Sequence, residues 1–167
     1  MNEKMRTLIE KLESEKTLSL LEYQYLIDNR DEESRELLNE KADKARRSVY
    51  GNKVFIRGLI EISNICKNDC HYCGIRKSNR NCQRYRLSEE DILECCKEGY
   101  ALGFRTFVMQ GGEDGFFTDE VMCSIIRKIK ESYPDCAVTL SLGERSKESY
   151  RKLFEAGADR YLLRHET

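Results

Sequence analysis

The chain has 167 residues, a formal net charge of -1, and a composition that is 40% hydrophobic and 35% charged. That length suffices for one cored domain, the mixture is too apolar for a disordered chain, and the balanced charge excludes the broad basic field that draws nucleic acid or an anionic membrane. The opening Met1-Asn2-Glu3-Lys4 leads into no continuous apolar stretch, which argues against a secretory signal or a transmembrane helix, so the expected address is the cytoplasm. There the eight cysteines stay reduced and serve as metal ligands or small buried apolar groups.

Residues 1–51 read as a helical extension. Leu8, Ile9 and Leu12, then Leu20, Leu21, Tyr25 and Leu26, recur at helical intervals. Asp31-Glu32-Glu33 opens a further helix through Leu37, Leu38, Ala42 and Ala45 to about Tyr50, with Arg46 and Arg47 near its end as the macrodipole favours, and Gly51 stops it.

From residue 52 to 167 strands alternate with helices. Runs at 54–62, 105–109, 137–142 and 160–163 are rich in β-branched and aromatic residues and are expected strands. Between them Ser88 caps a helix with Asp91 three residues on, Thr118 and Asp119 open the next, and Ser146 begins a third that ends at Ala156-Gly157. Repeated strand-helix order implies parallel strands with right-handed crossovers. A complete (β/α)8 barrel takes roughly 250 residues, so the expectation is an α/β fold: the N-terminal part of a TIM-type barrel, about four βα units, truncated, with an unpaired edge on its last strand.

The most specific feature is Cys66-Lys67-Asn68-Asp69-Cys70-His71-Tyr72-Cys73, a C-x3-C-x2-C spacing in a polar loop after the first strand. Such a loop can wrap three thiolates around three corners of an iron-sulfur cubane, whereas an electron-transfer [4Fe-4S] cluster takes four cysteines. The missing protein ligand leaves one iron open, as catalytic metal sites keep an exchangeable position. Zinc held by the triplet and His71 is the rival, but His71 adjoins Cys70 and would crowd it, and zinc ribbons use paired C-x2-C hooks. Accidental clustering in a buried loop is disfavoured by the polarity of Lys67, Asn68 and Asp69.

After the second strand comes Gln110-Gly111-Gly112-Glu113-Asp114. Its glycines allow close backbone approach, and its carbonyls and Glu113 can accept hydrogen bonds from an ammonium, although Gly-Gly is also an ordinary strand-to-helix turn. The third strand ends in Ser141-Leu142-Gly143-Glu144 and the fourth in Arg164-His165-Glu166, at the barrel end that carries active sites. Arg76, Lys77, Arg80, Arg84 and Arg86 form a basic stretch, read either as a solvated loop or as charge that offsets a cluster or meets an anionic ligand. Among the other cysteines, Cys95 and Cys96 point in different directions on a helix, Cys123 shares a helical face with Ile126, Cys136 precedes a strand, and Cys82 is unassigned.

The triplet with Tyr72 before its last cysteine resembles the radical S-adenosylmethionine (SAM) signature, and Gly111-Gly112-Glu113 is similar to that superfamily's glycine-glycine-glutamate motif. Runs at 57–64, 73–76, 84–86, 141–144 and 159–167 resemble the FeFe-hydrogenase maturase HydE family, a biotin synthase-like group. The resemblance covers the chain from about Asn52 to its last residue. It implies a [4Fe-4S] cluster on Cys66, Cys70 and Cys73 and reductive cleavage of SAM to a 5'-deoxyadenosyl radical. It implies SAM contacts at Tyr72, Gly111, Gly112, Glu113, Glu144, Arg164 and Glu166, with Glu144 and Arg164 on the aminoacyl and ribose parts. Its implied substrate is a small iron-carbonyl-cyanide species supplied by a partner maturase. Related amino-acid mutases such as methylornithine synthase would instead imply an amino-acid-derived substrate, and a non-catalytic iron-sulfur or zinc module is the alternative from another class. Any auxiliary iron-sulfur cluster of the family would lie beyond Thr167.

Overall fold

Asn2 opens the first helix because its side-chain oxygen accepts the Met5 N–H at 2.8 Å, satisfying a donor that has no partner within the helix. In the computed structural model, which describes residues 1–164, the chain forms two units, Met1–Val54 and Phe55–Thr167. The first consists of helices α1 (Glu3–Glu15), α2 (Leu20–Asp28) and α3 (Glu32–Tyr50). Ser19 and Asp31 cap the second and third with reciprocal capping boxes. Met5, Leu8, Ile9, Leu18 and Leu26 are buried together, with Leu12, Tyr25, Leu37 and Leu38 packed against them. Leu20 and Leu21, expected in the apolar stripe, are instead 87% and 79% exposed. At about 100° of rotation per residue neither shares the face of Leu26.

The second unit runs β1 (Gly58–Ser63), α4 (Glu89–Ala101), β2 (Thr106–Gly111), α5 (Asp119–Ser132), β3 (Ala137–Ser141), α6 (Lys147–Glu155) and β4 (Arg160–Tyr161). The sheet order is β1-β2-β3-β4 and every pairing is parallel. This is a partial α/β barrel preceded in the chain by helices, as the strand-helix alternation predicts. Ser88, Thr118 and Ser146 cap α4, α5 and α6 as expected. The first strand starts later than predicted: Val54, Phe55 and Ile56 are exposed, and pairing begins where Gly58 stands opposite Phe107. High β-propensity makes a strand only where a partner accepts its hydrogen bonds.

Alternation along the strands divides the sheet's two faces. Ile60, Ile62, Phe107, Met109, Val138 and Leu140 are buried in one cluster with Ile92, Cys96, Met122, Ile125, Ile126, Ile129 and Leu153 of the helices. The intervening residues lie in register across the other face, Glu61 beside Gln110 and Gln110 beside Ser141. No helix of the described residues is long and apolar enough to cross a membrane.

Candidate functional site

The site is built at the carboxyl ends of the strands. A register shift between Glu61 and Ser63 interrupts the β1–β2 ladder, and such irregularities re-aim a chain. The ladder nevertheless continues into the loops: Gly112 N–H donates to Ser63 O at 3.1 Å and Lys67 N–H donates to Glu113 O at 3.1 Å. The cysteine loop and the Gly-Gly-Glu segment are thereby tied side by side. A β-carbon at Gly112 would stand 2.2 Å from Ile65 O and 2.8 Å from Cys66 Cβ, so only glycine admits this approach.

These segments surround a cavity of about 930 Å³. Its lining includes Cys66, Cys70, Cys73, Tyr72, Gly111, Gly112, Glu113, Glu144 and Arg164, with Glu61, Gln110 and Ser141 on the same wall. Nine of the ten residues expected to hold a cluster or SAM therefore line one space; the tenth, Glu166, lies outside the described residues. Cys66 and Cys73 are half-buried and Cys70 is exposed. Cys73 N–H donates to Cys70 O at 3.0 Å, closing a turn between two of the thiols. Among the described residues no three His, Cys, Asp or Glu side chains are gathered as around a single metal ion.

Glu113 is the best-connected acid of the site. Lys67 Nζ lies 2.8 Å from its Oε2, Asn68 Nδ2 donates to its Oε1 at 2.8 Å, and its backbone N–H donates to Cys66 Sγ at 3.4 Å. The Glu113 carboxylate raises the Lys67 pKa above the usual amine value. Arg164 Nη2 donates to Gln110 Oε1 at 2.8 Å.

Behind the loop stands a polar node that sequence reasoning did not assign. Arg86 grips Asp114 with two bonds of 2.8 Å, and its guanidinium lies 4.4 Å from the Phe116 ring. Ser63 Oγ donates to Asp114 Oδ2 at 2.7 Å and the Phe116 N–H adds a bond of 3.1 Å. Burial pushes the Asp114 carboxyl pKa up, but the Arg86 fork, the Phe116 amide and the Ser63 hydroxyl outweigh it and hold the group below its ordinary value. The expected basic stretch is therefore divided. Arg86 is consumed by Asp114, and among the described residues Arg84 donates only to backbone carbonyls. Asp114 sits directly after the Gly-Gly-Glu run and was legible only as a neighbour of that motif.

Three of the remaining cysteines behave as small apolar groups. Cys96, Cys123 and Cys136 are buried, and burial raises each thiol's pKa, that of Cys96 to about 12. Cys95 on the same helix as Cys96 is exposed. Cys82 is half-buried and its sulfur accepts from Asn64 Nδ2 at 3.5 Å.

A parallel α/β sheet with a three-thiol loop at the carboxyl end of its first strand defines a partial α/β barrel whose candidate site lies at that end. Residues 60–167 match the model of the Radical SAM superfamily, and the chain belongs to it. It is 45% identical over 163 residues to the FeFe-hydrogenase maturase subunit HydE of Thermotoga maritima, a match covering 97% of this chain and 46% of that protein. The crystal structure of methylornithine synthase (PylB) is similar with a TM-score of 0.79 at 28% identity, covering 93% of this chain and 46% of that one. The crystal structure of HydG, a maturase of the FeFe-hydrogenase, gives a TM-score of 0.84 at 25% identity, covering 96% and 36%. The chain spans less than half the length of the curated relatives it matches.

Proposed function

We propose that this chain is the cluster-binding part of a radical SAM enzyme that acts, like HydE, in maturation of the FeFe-hydrogenase active site. The observation that carries this reading is the single cavity shared by Cys66, Cys70, Cys73, Glu113, Glu144 and Arg164. The donor set fits the two groups required: three thiols on one loop for a [4Fe-4S] cluster, and carboxylates with a guanidinium beside them for the charged ends of SAM. Gly112 adds a cradle that a side chain would fill.

When bound and reduced, the cluster supplies the electron that cleaves SAM to methionine and a 5'-deoxyadenosyl radical. The chain's own residues bind and orient. Glu113, already facing the Lys67 ammonium at 2.8 Å, accepts hydrogen bonds from the SAM ammonium. Arg164 offers a fork to the SAM carboxylate, Glu144 accepts from the donors of the aminoacyl and ribose parts, the ammonium and the hydroxyls, and Tyr72 presents an exposed ring beside Cys73. The assignment to hydrogenase maturation rests on the 45% identity with HydE. A mutase acting on an amino-acid-derived substrate is the second reading, supported by the likeness to methylornithine synthase.

Anaerobic reconstitution with iron and sulfide tests the proposal. The reduced protein should show a cluster EPR signal that changes on adding SAM, and Cys70→Ala should lose both signal and SAM cleavage. Arg164→Ala should keep the cluster and bind SAM more weakly. Iron and sulfide contents unaffected by Cys70→Ala, or a cluster indifferent to SAM, would overturn the reading.

A further inference from the structure

The Arg84 guanidinium is enclosed by backbone. Its Nη1 donates to Asn64 O at 2.5 Å and Ile75 O at 2.8 Å, and its Nη2 donates to Arg76 O at 2.7 Å and Asn79 O at 3.1 Å. Among the described residues its charge meets no carboxylate. Asn64 precedes the first cysteine of the triplet, while Ile75, Arg76 and Asn79 follow the last. One planar group thus bridges the two arms of the loop that carries the thiols.

Other bonds within the loop brace this bridge. Lys77 N–H donates to Asn68 O at 2.8 Å, Ser78 N–H to Asp69 Oδ1 at 2.8 Å, and Asn79 Nδ2 to Gly74 O at 2.7 Å. The Asn64 side chain donates to Gln83 O at 2.7 Å and accepts from Tyr85 N–H at 2.7 Å, fixing the stem from which Arg84 projects. The thiols themselves contribute little to this closure, since the loop is held by carbonyls, amides and one guanidinium. A planar fork with five fixed donors can span carbonyls on both arms, whereas an ammonium is a point and cannot.

We infer that Arg84 is a positioning residue that sets the separation of the Cys66 and Cys73 arms before any cluster is bound. The inference rests on the reading that these thiols hold a cluster. Ligand loops gain affinity when a supporting layer of hydrogen bonds fixes them in advance, because the ordering cost is then not taken from binding.

The test compares the intact parent protein with Arg84→Lys and Arg84→Ala. In the iron-free proteins, hydrogen exchange of the amides between residues 65 and 79 should quicken about tenfold in both variants, with β1, β2 and β3 retaining their protection. After reconstitution, both variants should lose iron to a chelator about tenfold faster than the parent. Added guanidinium ion should restore both properties in Arg84→Ala and neither in Arg84→Lys, whose side chain fills the site. Unchanged loop exchange in both variants, or no rescue by guanidinium, overturns the inference. So does a parallel loss of strand protection in Arg84→Lys, which would make Arg84 a general stabiliser of the fold. A parent that retains no iron sinks the cluster reading instead, and the exchange comparison still decides whether Arg84 holds the loop.

Discussion

Glu113 donates its backbone N–H to Cys66 Sγ at 3.4 Å, joining two motifs that lie 47 residues apart in the chain. The same residue accepts the Lys67 N–H through its carbonyl. The cysteine loop and the Gly-Gly-Glu segment are consequently one structural unit, and a change in either should be felt at the thiols.

Gly112 is the closest point of that contact. Gly112→Ala forces a methyl group against Ile65 O and Cys66 Cβ, and should destabilise the protein by about 2 kcal/mol, in the range for overpacking. Urea denaturation would register the change. The same variant should retain less iron after reconstitution, and a variant with parental stability and iron content would show that the loop moves aside freely.

Gly143 guards the Glu113 side chain. It has φ +76°, and a β-carbon there would lie 2.2 Å from Glu113 Cγ. Gly143→Ala should drive the carboxylate off Lys67 and Asn68 and cost about 1 kcal/mol in backbone strain. On the proposed function SAM affinity then falls about tenfold, a loss of roughly one charge-assisted hydrogen bond. Equilibrium dialysis against labelled SAM measures it; unaltered affinity would remove Glu113 from the SAM site.

The Arg86–Asp114 pair should behave as a buried ion pair with one open side. The Asp114 side chain is 3% exposed and that of Arg86 34%. Arg86→Ala leaves the carboxylate buried without its countercharge and should cost about 2 kcal/mol, discounted for the exposed side of the arginine. Adding Asp114→Asn to Arg86→Ala should recover part of the loss, because no buried charge remains. The Asp114 pKa is lowered below 3.8 by the fold, so its contribution is present above that pH and is lost as pH falls through the lower folded value. Asp114→Asn should lack this component of acid unfolding. Identical acid transitions in the parent and in Asp114→Asn would contradict the assignment.

Thiol reactivity should sort the eight cysteines by place in the fold. In the iron-free protein exposed Cys70 should be alkylated first, ahead of Cys95, which is also exposed but whose thiol pKa is pushed up by partial burial and the neighbouring Glu98 and Asp91. Cys96 is fully buried with its thiol pushed up to about 12, and should react at least about a hundredfold more slowly at pH 8. Timed iodoacetamide labelling with peptide mass spectrometry provides the ranking. Comparable rates for Cys96 and Cys70 would mean that α4 opens readily.

Helix caps and hydrophobic periods carried most of the fold. Ser88, Thr118 and Ser146 mark their helices because a short oxygen side chain before an apolar period satisfies local donors, an interaction confined to a few residues. The start of β1 was not legible. Val54, Phe55 and Ile56 have strand character, yet pairing depends on Phe107 and its neighbours in β2. Arg84 and Arg86 likewise read as one basic patch, since nothing in their immediate neighbours names the carbonyls and the carboxylate that take their charges.

By itself the sequence determined which groups meet at one end of the sheet: the Cys66, Cys70 and Cys73 loop and the Gly111-Gly112-Glu113 run, placed there by the strand-helix rhythm. These are properties of residues close together in the chain, where spacing fixes geometry. The tertiary structure decided what holds the groups in place, through Glu113 against Cys66, Arg86 on Asp114 and Arg84 across the loop arms. Such contacts depend on how parallel strands register and how loops cross, and a charged side chain does not reveal in sequence whether its partner is water, a carboxylate or a ring of carbonyls.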